Sequence, residues 1–329
     1  MFKCLTLVLS AVFSFSVMAK EVTIYSVYPA EELAPIFTPF TERTGIEVKF
    51  VFGTTDELMN KLTHEGSQTS ADLYLDKDLT YLGDAQRKGM FRPFNSSVVK
   101  NNVPAHLRDK TDLWTLVFYR ARVIMFNKFK VNENELSTYE ALGDKKWENR
   151  LCVRTSTNSY NQALGAYFVK HLGIDKTLGV LASWVKNFSV EPLKNDRAVI
   201  QAVADGQCDV GLANTYYLPA FIRANPDFPV KVFFPNQKSF GTHVNGVGIG
   251  IVKHAKNIKE ANLLLEYFTS TEVQTPVAAA FSQYPVNQNA EMIKILKDFG
   301  VFKEDATNIS DVSNFVDTVN KLFPIVDYK

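Results

Sequence analysis

Residues 113–127 read LWTLVFYRARVIMFN, and this stretch decides how the rest of the chain is arranged. It is apolar along most of its length, yet it carries arginines at positions 120 and 122. The run is longer than an average strand, and its apolar positions do not keep the spacing of a helix. We therefore interpret it as one strand that passes from a first lobe into a second. Residues 246–253, GVGIGIVK, predict a return crossing.

Strands and helices alternate on both sides of this crossing. The predicted strands before it are EVTIYSVY (21–28), IEVKFVFG (46–53) and ADLYLDKD (71–78). Apolar residues recur at helical spacing between them, and the first helix is predicted to stop at Gly45 and the second to be capped by Thr55. After the crossing, RLCVRT (150–155) and CDVGLAN (208–214) again lead into helices. This alternation predicts an α/β protein with a mainly parallel sheet.

Two lobes joined by more than one crossing leave a cleft, which is the usual place for a small ligand. We expect the first lobe to contain residues 20–118 and 247–297, and the second to contain residues 119–246 and 298–329. In α/β sheets a ligand usually lies beyond the C-terminal ends of the strands. Candidate site residues are therefore sought where strands give way to helices.

Composition and the N-terminus bound the class of protein. The chain has 329 residues, 46% hydrophobic and 22% charged, which is typical of a globular protein. Its formal net charge of +1 argues against nucleic acid as the main partner. Residues 1–19 begin with the basic Lys3, continue with an apolar stretch and end in small residues, so they predict a signal peptide cleaved near Ala19. The alternative is a membrane anchor, for which the apolar stretch is short.

Removing the signal leaves two cysteines, Cys152 and Cys208, each in a short apolar run that resembles a strand. In an oxidising compartment the two could form a disulfide if their strands are neighbours. Two buried free thiols are the alternative. Their spacing does not resemble a zinc site. The chain also lacks the glycine-flanked serine, the zinc-binding histidine pair and the phosphate-binding loop that mark common enzyme classes.

Three tyrosines stand at equivalent positions in the predicted fold. Tyr160 follows the strand LCVRT at the start of a helix, while Tyr216 and Tyr217 follow the strand CDVGLAN. If the two strands lie in one parallel sheet, all three phenols emerge at the same edge and face the cleft. Taken singly, each tyrosine is better explained by ordinary packing. Together, they indicate a site rich in oxygen donors.

A phenol has a pKa of about 10, so it ionises at neutral pH only beside a strong positive charge. Zinc and copper prefer imidazole or thiolate, and calcium prefers several carboxylates. Ferric iron fits three phenolates best, because their charges would neutralise it. Three positions of an octahedral ion would remain for water, a small chelating anion or a group from the other lobe.

The chain resembles the periplasmic ferric-ion-binding proteins of bacterial ABC importers, which have the two-lobed fold of class II (type II) periplasmic binding proteins. The resemblance covers essentially the whole mature chain. The motifs that carry it are TNSYNQALGA (157–166), DVGLANTYY (209–217), FGTHVNGVGIGI (240–251), YRARVIMFN (119–127) and YPVN (284–287). It implies two hinged α/β lobes around a cleft, iron binding by Tyr160, Tyr216 and Tyr217, and delivery to an inner-membrane ABC permease. It further implies a periplasmic monomer that is not an enzyme.

The first lobe departs from the pattern of that family. Many members carry a histidine and a second ligand shortly after the opening strand, where this chain has Pro29 and Ala30. Lys77 stands about where some members carry a coordinating glutamate. The candidate substitutes in the first lobe are Tyr28, Glu31 and Asp78. The chain therefore resembles more closely the subgroup that binds iron from one lobe and completes the coordination with carbonate or a similar anion.

Such an anion needs donors, and segment 155–160, TSTNSY, offers hydroxyls, including that of Ser159, beside the free amides of a helix N-terminus. A guanidinium from Arg154, or from Arg120 and Arg122, could bind the anion, and Lys77 could oppose it. Alternate strand positions share a face, so Arg120 and Arg122 point inward together or not at all. The alternative for the arginines is a salt bridge at the hinge.

Other functions remain open on the sequence. The same fold could bind an organic solute such as a polyamine, thiamine or a sugar phosphate, although Trp114, Trp147 and Trp184 do not cluster with carboxylates in any motif. An exported hydrolase with a tyrosine as general acid would need a nucleophile or base that the motifs do not supply. A sensor that presents its loaded form to a membrane receptor is a third alternative.

Overall fold

The computed structural model describes residues 20–329, so the predicted signal peptide and its cleavage near Ala19 lie outside the described residues. Within this range the strands are, in chain order, β1 (Lys20–Ser26), β2 (Ile46–Phe52), β3 (Leu73–Asp76), β4 (Phe91–Arg92), β5 (Thr115–Asn127), β6 (Leu151–Cys152), β7 (Val210–Asn214), β8 (Val230–Phe233), β9 (Val244–Val252) and β10 (Tyr284–Pro285).

The α-helices between and after these strands pack on both halves of the sheet. They are α1 (Ala30–Thr44), α2 (Thr55–Glu65), α3 (Leu79–Arg87), α4 (Ser97–Asn102), α5 (Ser159–Leu172), α6 (Ile174–Asn187), α7 (Asp196–Ala204), α8 (Leu218–Ala224), α9 (Ile258–Phe268), α10 (Thr271–Phe281), α11 (Lys294–Asp298), α12 (Ile309–Ser313) and α13 (Val316–Leu322). None of the helices in residues 20–329 combines the length and the apolar character needed to cross a membrane.

The strands join in the order β2-β1-β3-β9-β5-β7-β6. Strand β5 forms the junction: its residues 115–121 pair with β9, and its residues 122–127 pair with β7 and β8. One strand therefore runs from the first lobe into the second, as its length and composition predict. The chain returns at β9, which lies antiparallel to both β3 and β5.

The prediction of a mainly parallel sheet holds for β1 to β3 and for β6 with β7, which are parallel neighbours. It is wrong for β5 and β9, which run antiparallel to their neighbours. The reason is that both lobes aim the C-terminal ends of their parallel strands at the cleft. A strand that runs toward the cleft in one lobe must run away from it in the other, so β5 opposes β7.

Local signals in the sequence fix the ends of the first two helices. Gly45 caps α1 with φ of 68°, a left-handed conformation that glycine adopts without strain, so the predicted stop is confirmed. The predicted cap of α2 is wrong by one residue. Thr54 is the N-cap and forms a capping box with Glu57. The Thr55 hydroxyl instead donates to the carboxylate of Asp76 at 2.9 Å.

The glycines of the GVGIGI stretch allow close packing around β9. A Cβ atom on Gly248 would lie 2.4 Å from Leu82 Cδ1 on α3, and one on Gly246 would lie 2.4 Å from the Phe118 carbonyl oxygen on β5. Glycine at these alternate positions lets a helix and a neighbouring strand approach the return strand. The alternation thus serves packing where the two lobes are joined.

Candidate metal site

Two parallel strands of the second lobe deliver the three predicted tyrosines to one place. Strands β6 and β7 pair in register, with Leu151 opposite Val210 and Cys152 opposite Gly211. Strand β6 leads to α5, whose first turn carries Tyr160 and whose N-cap is Asn158. Strand β7 leads to a 3-10 turn, Thr215–Tyr217, directly before α8. The prediction that the phenols share one sheet edge rests on this parallel pairing, which the structure confirms.

The three phenols are in direct contact. The hydroxyl oxygens of Tyr160 and Tyr216 lie 3.1 Å apart, which is hydrogen-bonding distance. The rings of Tyr216 and Tyr217 are tilted by 33° with centroids 4.1 Å apart. All three residues are partly buried. The structure therefore brings together the residues that the sequence predicts as metal ligands.

In the tyrosine triad formed by Tyr160, Tyr216 and Tyr217, the surroundings hold Tyr216 and Tyr217 in the neutral form. Burial raises the pKa of Tyr216 well above its usual value, and the neighbouring Tyr160 and Tyr217 raise it further, while Arg120 lowers it. Burial, followed by the charges of Tyr160 and Asp196, raises the pKa of Tyr217 to about 12. Ionisation at neutral pH therefore needs a strong compensating positive charge.

Arg120 supplies positive charge beside the triad. Its guanidinium carbon lies 4.8 Å from the centre of the Tyr160 ring, and that of Arg154 lies 5.2 Å from the same ring. Burial lowers the pKa of Arg120, but the carboxylate of Asp78 and the phenols of Tyr160, Tyr216 and Tyr28 raise it by more. The guanidinium therefore stays charged. Arg120 also donates to the Lys77 carbonyl oxygen at 2.7 Å and to Asp78 Oδ2 at 3.1 Å. It thus joins the tyrosine site to the first lobe.

Arg122 and Arg154 are held by one buried carboxylate, that of Asp196. Asp196 Oδ2 accepts hydrogen bonds from Arg122 Nη1 at 2.6 Å and from the backbone N–H of Asn214 at 2.8 Å. Its Oδ1 accepts one from Arg154 Nη1 at 3.1 Å. Arg122 also donates to Asn161 Oδ1 at 2.8 Å. Both Arg120 and Arg122 are buried, and each is engaged in a salt bridge. Arg120 thus pairs with Asp78, which precedes α3, whereas Arg122 pairs with Asp196 at the start of α7.

The sequence did not single out Asp196, Asn161 and Asn214, which organise this network, or Tyr328. The Tyr328 hydroxyl donates to the Arg154 carbonyl oxygen at 3.0 Å and accepts from Asn161 Nδ2 at 2.8 Å. Two signals were available: Asn214 ends the strand that leads to the tyrosine pair, and Asp196 is the first residue of α7. Tyr328, near the end of the chain, had no such signal.

The first-lobe candidates lie in different surroundings. Tyr28 is partly buried and packs edge-on against Phe281, and burial raises its pKa while the charge of Arg120 lowers it. Glu31 is exposed in the first turn of α1, and Lys77 is exposed after β3. Asp78 is fully buried, and its carboxylate accepts from Thr80, Arg120 and Ser159. These contacts engage both of its oxygens within the protein.

The two cysteines of the described residues form a disulfide, with Cα atoms 5.8 Å apart. It joins β6 to the residue two positions before β7, behind the two junctions that carry the tyrosines. Within residues 20–329 there is no group of three or more histidine, cysteine or acidic side chains that could hold a metal ion. The three phenols at this sheet edge are a separate group of oxygen donors, and phenolate oxygens suit a hard, highly charged cation.

The fold and the cleft define a two-lobed periplasmic binding protein. Residues 36–303 match the family model described as bacterial extracellular solute-binding protein, and the chain belongs to that family. Iron uptake protein A1 of Synechocystis sp. is 38% identical over 316 residues, which cover 94% of this chain and 88% of the relative. The major ferric iron-binding protein of Neisseria meningitidis serogroup B is 26% identical over 278 residues, 81% of each chain.

Solved structures agree with this assignment. A Trichodesmium protein (IdiA, FutA), in complex with iron and citrate, matches with a TM-score of 0.90 and 38% identity, covering 94% of this chain and all of that one. Ferric iron-binding protein A of Mannheimia haemolytica, in an open conformation, matches with a TM-score of 0.87 and 30% identity over 94% of this chain and 99% of that one.

Proposed function

We propose that this protein captures ferric iron in the periplasm through the phenolate oxygens of Tyr160, Tyr216 and Tyr217 and delivers it to an ABC permease. The observation that carries the proposal is the convergence of three phenols at one sheet edge, with two hydroxyl oxygens 3.1 Å apart. Relatives named for iron uptake and for ferric iron binding support the choice of ion. The chain acts as a monomer that binds its cargo without transforming it.

Charge balance supports a phenolate site for a trivalent ion. Three phenolates cancel the charge of Fe³⁺, and Arg120 is balanced by Asp78. Arg122 and Arg154 share one carboxylate, that of Asp196, so this network keeps one positive charge. That positive charge would attract a small chelating anion such as carbonate, which would fill coordination positions that the phenolates leave open.

The anion would bind on the second lobe, beside Tyr160. Arg120 and Arg154 flank the Tyr160 ring, and their Nε–H groups, like that of Arg122, are buried without a partner. Buried donors of this kind call for an acceptor, which a carbonate oxygen supplies. Ser159 is turned toward Asp78, and Arg122 is turned toward Asp196, so both support the site rather than face the anion. Lys77 is exposed and contributes long-range charge.

The test is an iron titration of the purified mature chain. Ferric iron supplied as a weak chelate should produce a visible phenolate-to-iron charge-transfer band. Tyr217→Phe should weaken binding by more than about 100-fold, because losing a ligand exceeds the 10–100-fold cost of losing an outer-shell partner. Tyr267→Phe is the matched control, since it removes a phenol hydroxyl that bonds to the Ile36 carbonyl oxygen in the first lobe.

Absence of the band in the wild-type protein would overturn the proposal, and so would an unchanged band and affinity in Tyr217→Phe. A thermal-shift screen against ferric chelate, polyamine, thiamine and a sugar phosphate separates the proposal from its main alternative. Stabilisation by an organic solute, with none by iron, would favour that alternative.

A further inference from the structure

The loop between β3 and α3 of the first lobe reaches the tyrosine site through one side chain, that of Asp78. Its Oδ2 accepts a hydrogen bond from Ser159 Oγ at 3.2 Å and another from Arg120 Nη2 at 3.1 Å. Ser159 directly precedes Tyr160 in the first turn of α5, and the Arg120 guanidinium packs against the Tyr160 ring. One first-lobe carboxylate oxygen therefore contacts both supports of Tyr160.

Asp78 is fixed in this position from its own side as well. It is the N-cap of α3, and its Oδ1 accepts from the Thr80 amide at 3.0 Å. Arg120 reinforces the contact by donating to the Lys77 carbonyl oxygen at 2.7 Å. Both Asp78 and Arg120 are buried, with exposures of 0% and 2%, so water does not compete for these bonds. Charge-assisted bonds in such surroundings are stronger than neutral ones.

We propose that Asp78 is a positioning residue that closes the first lobe over the second and orients Tyr160, in place of a first-lobe metal ligand. This inference rests on the proposed function. Pro29 and Ala30 offer no metal-binding side chain, and Lys77 is a cation, so the first lobe needs another way to engage the site. Asp78 engages it through Arg120 and Ser159, and the closing contacts are made between protein groups alone.

Two consequences distinguish a positioning role from ligation. The set of iron ligands does not include Asp78, so the charge-transfer band keeps its wavelength when the Asp78 contacts are weakened. The loaded site then opens more often, so iron passes faster to a competing chelator. Because the contacts need no metal, they also hold the iron-free protein in its closed arrangement.

Two variants test these contacts. Asp78→Asn keeps an N-cap acceptor for Thr80 but turns an amide donor toward Arg120 and Ser159. Ser159→Ala removes the bond from Ser159 to Asp78 while leaving Arg120 and Asp78 paired, and it remains informative if the first variant fails to fold. Asp84→Asn is the control: this half-exposed residue lies on the same helix, and its carboxylate pairs with Lys88 at 2.8 Å.

Stopped-flow transfer of iron to excess chelator should be about 10-fold faster in Asp78→Asn, as expected for the loss of a bond to a charged group. Ser159→Ala should show a smaller acceleration, and Asp84→Asn none. Small-angle X-ray scattering should give iron-free Asp78→Asn a larger radius of gyration than the wild type. Wild-type transfer rates in both variants would overturn the inference, as would loss of the band in Asp78→Asn.

The failure of this inference is distinct from that of the proposed function. If wild-type protein shows no band, the iron assignment fails, whereas the scattering comparison of the iron-free proteins still decides whether Asp78 closes the cleft. If the band is present and both variants release iron and scatter like the wild type, the iron assignment stands and the role of Asp78 is refuted.

Discussion

The two faces of the cleft differ in what they present to a cation. The second-lobe face carries three phenols in mutual contact, two guanidinium groups against one of their rings, and a buried carboxylate behind them. The first-lobe face carries Pro29 and Ala30, the exposed Lys77, and a carboxylate, that of Asp78, already bound within the protein. Tyr28 also lies in this lobe, where burial raises its pKa.

This contrast teaches that the two tasks of a cargo-binding cleft can be divided between lobes. Under the proposed function, the second lobe would hold the ion near a disulfide that joins β6 to the residue two positions before β7. The first lobe would act through protein–protein contacts that close over that edge. Iron binding would then depend on phenol ionisation in one lobe, and the release rate on contacts made by the other.

The largest expected effect is the release of protons from the second-lobe tyrosines when iron binds. Burial keeps Tyr216 and Tyr217 protonated at neutral pH, with Tyr217 at a pKa of about 12, so binding must displace their protons. With three phenolates formed, the affinity should fall by up to about 1,000-fold for each unit that pH drops. Calorimetry in buffers of different ionisation enthalpy counts the protons, and release of fewer than three per ion would contradict a three-phenolate site.

The raised pKa values of Tyr216 and Tyr217 also change how the stability of the iron-free protein depends on pH. In the unfolded chain these phenols ionise near pH 10, whereas the folded protein keeps Tyr217 protonated until about pH 12. A phenol whose pKa is higher in the folded than in the unfolded chain adds to the free energy of unfolding at pH values below its unfolded pKa. This contribution is lost as the pH rises toward the folded pKa. Stability should therefore decline above about pH 10.

The second-largest effect concerns the disulfide, which lies in the second lobe. Cys152 and Cys208 are 56 residues apart, and a loop of this size corresponds to about 4 kcal/mol in the chain-entropy model. Replacing both by alanine should lower the free energy of unfolding by about that amount in urea titrations. The charge-transfer band should survive at low temperature, because the ligands are unchanged. An unchanged unfolding midpoint would show that the bridge adds no stability.

The smallest effect is expected from Tyr28 in the first lobe. Tyr28→Phe should lower iron affinity by about 10-fold, the lower end of the range for a residue outside the coordination shell, and leave the band in place. Lys77→Ala serves as a companion with an exposed side chain on the same face. A shift of the band in Tyr28→Phe would make Tyr28 a ligand, and the division of tasks between the lobes would break down.

Much of this arrangement was predictable from short patterns. The long apolar run that ends at Asn127 predicted the crossing strand, and Gly45 predicted the end of α1. The positions of Tyr160, Tyr216 and Tyr217 after two strands predicted that they would meet. These inferences succeed because strand direction and helix ends depend on neighbouring residues, and because parallel strands place their C-terminal ends together.

The remaining parts depend on contacts between distant segments. Arg120 and Arg122 have the same residue type and share a strand face, yet one pairs with Asp78 and the other with Asp196. Periodicity assigned them a common face but not their partners. Asp78 was considered a metal ligand because of its chain position, whereas its contacts come from Ser159, 81 residues away.

The sequence by itself thus determined the class of fold, the crossing strand and the identity of the three phenols, since each follows from local periodicity or from a strand end. Only the tertiary structure decided the pairing of Cys152 with Cys208, the partners of the arginines and the contact of Asp78 with the second lobe. These choices are made by packing, because buried charges and thiols are stabilised by whichever groups the fold brings within reach. That information is spread over the whole chain, and no single stretch of residues contains it.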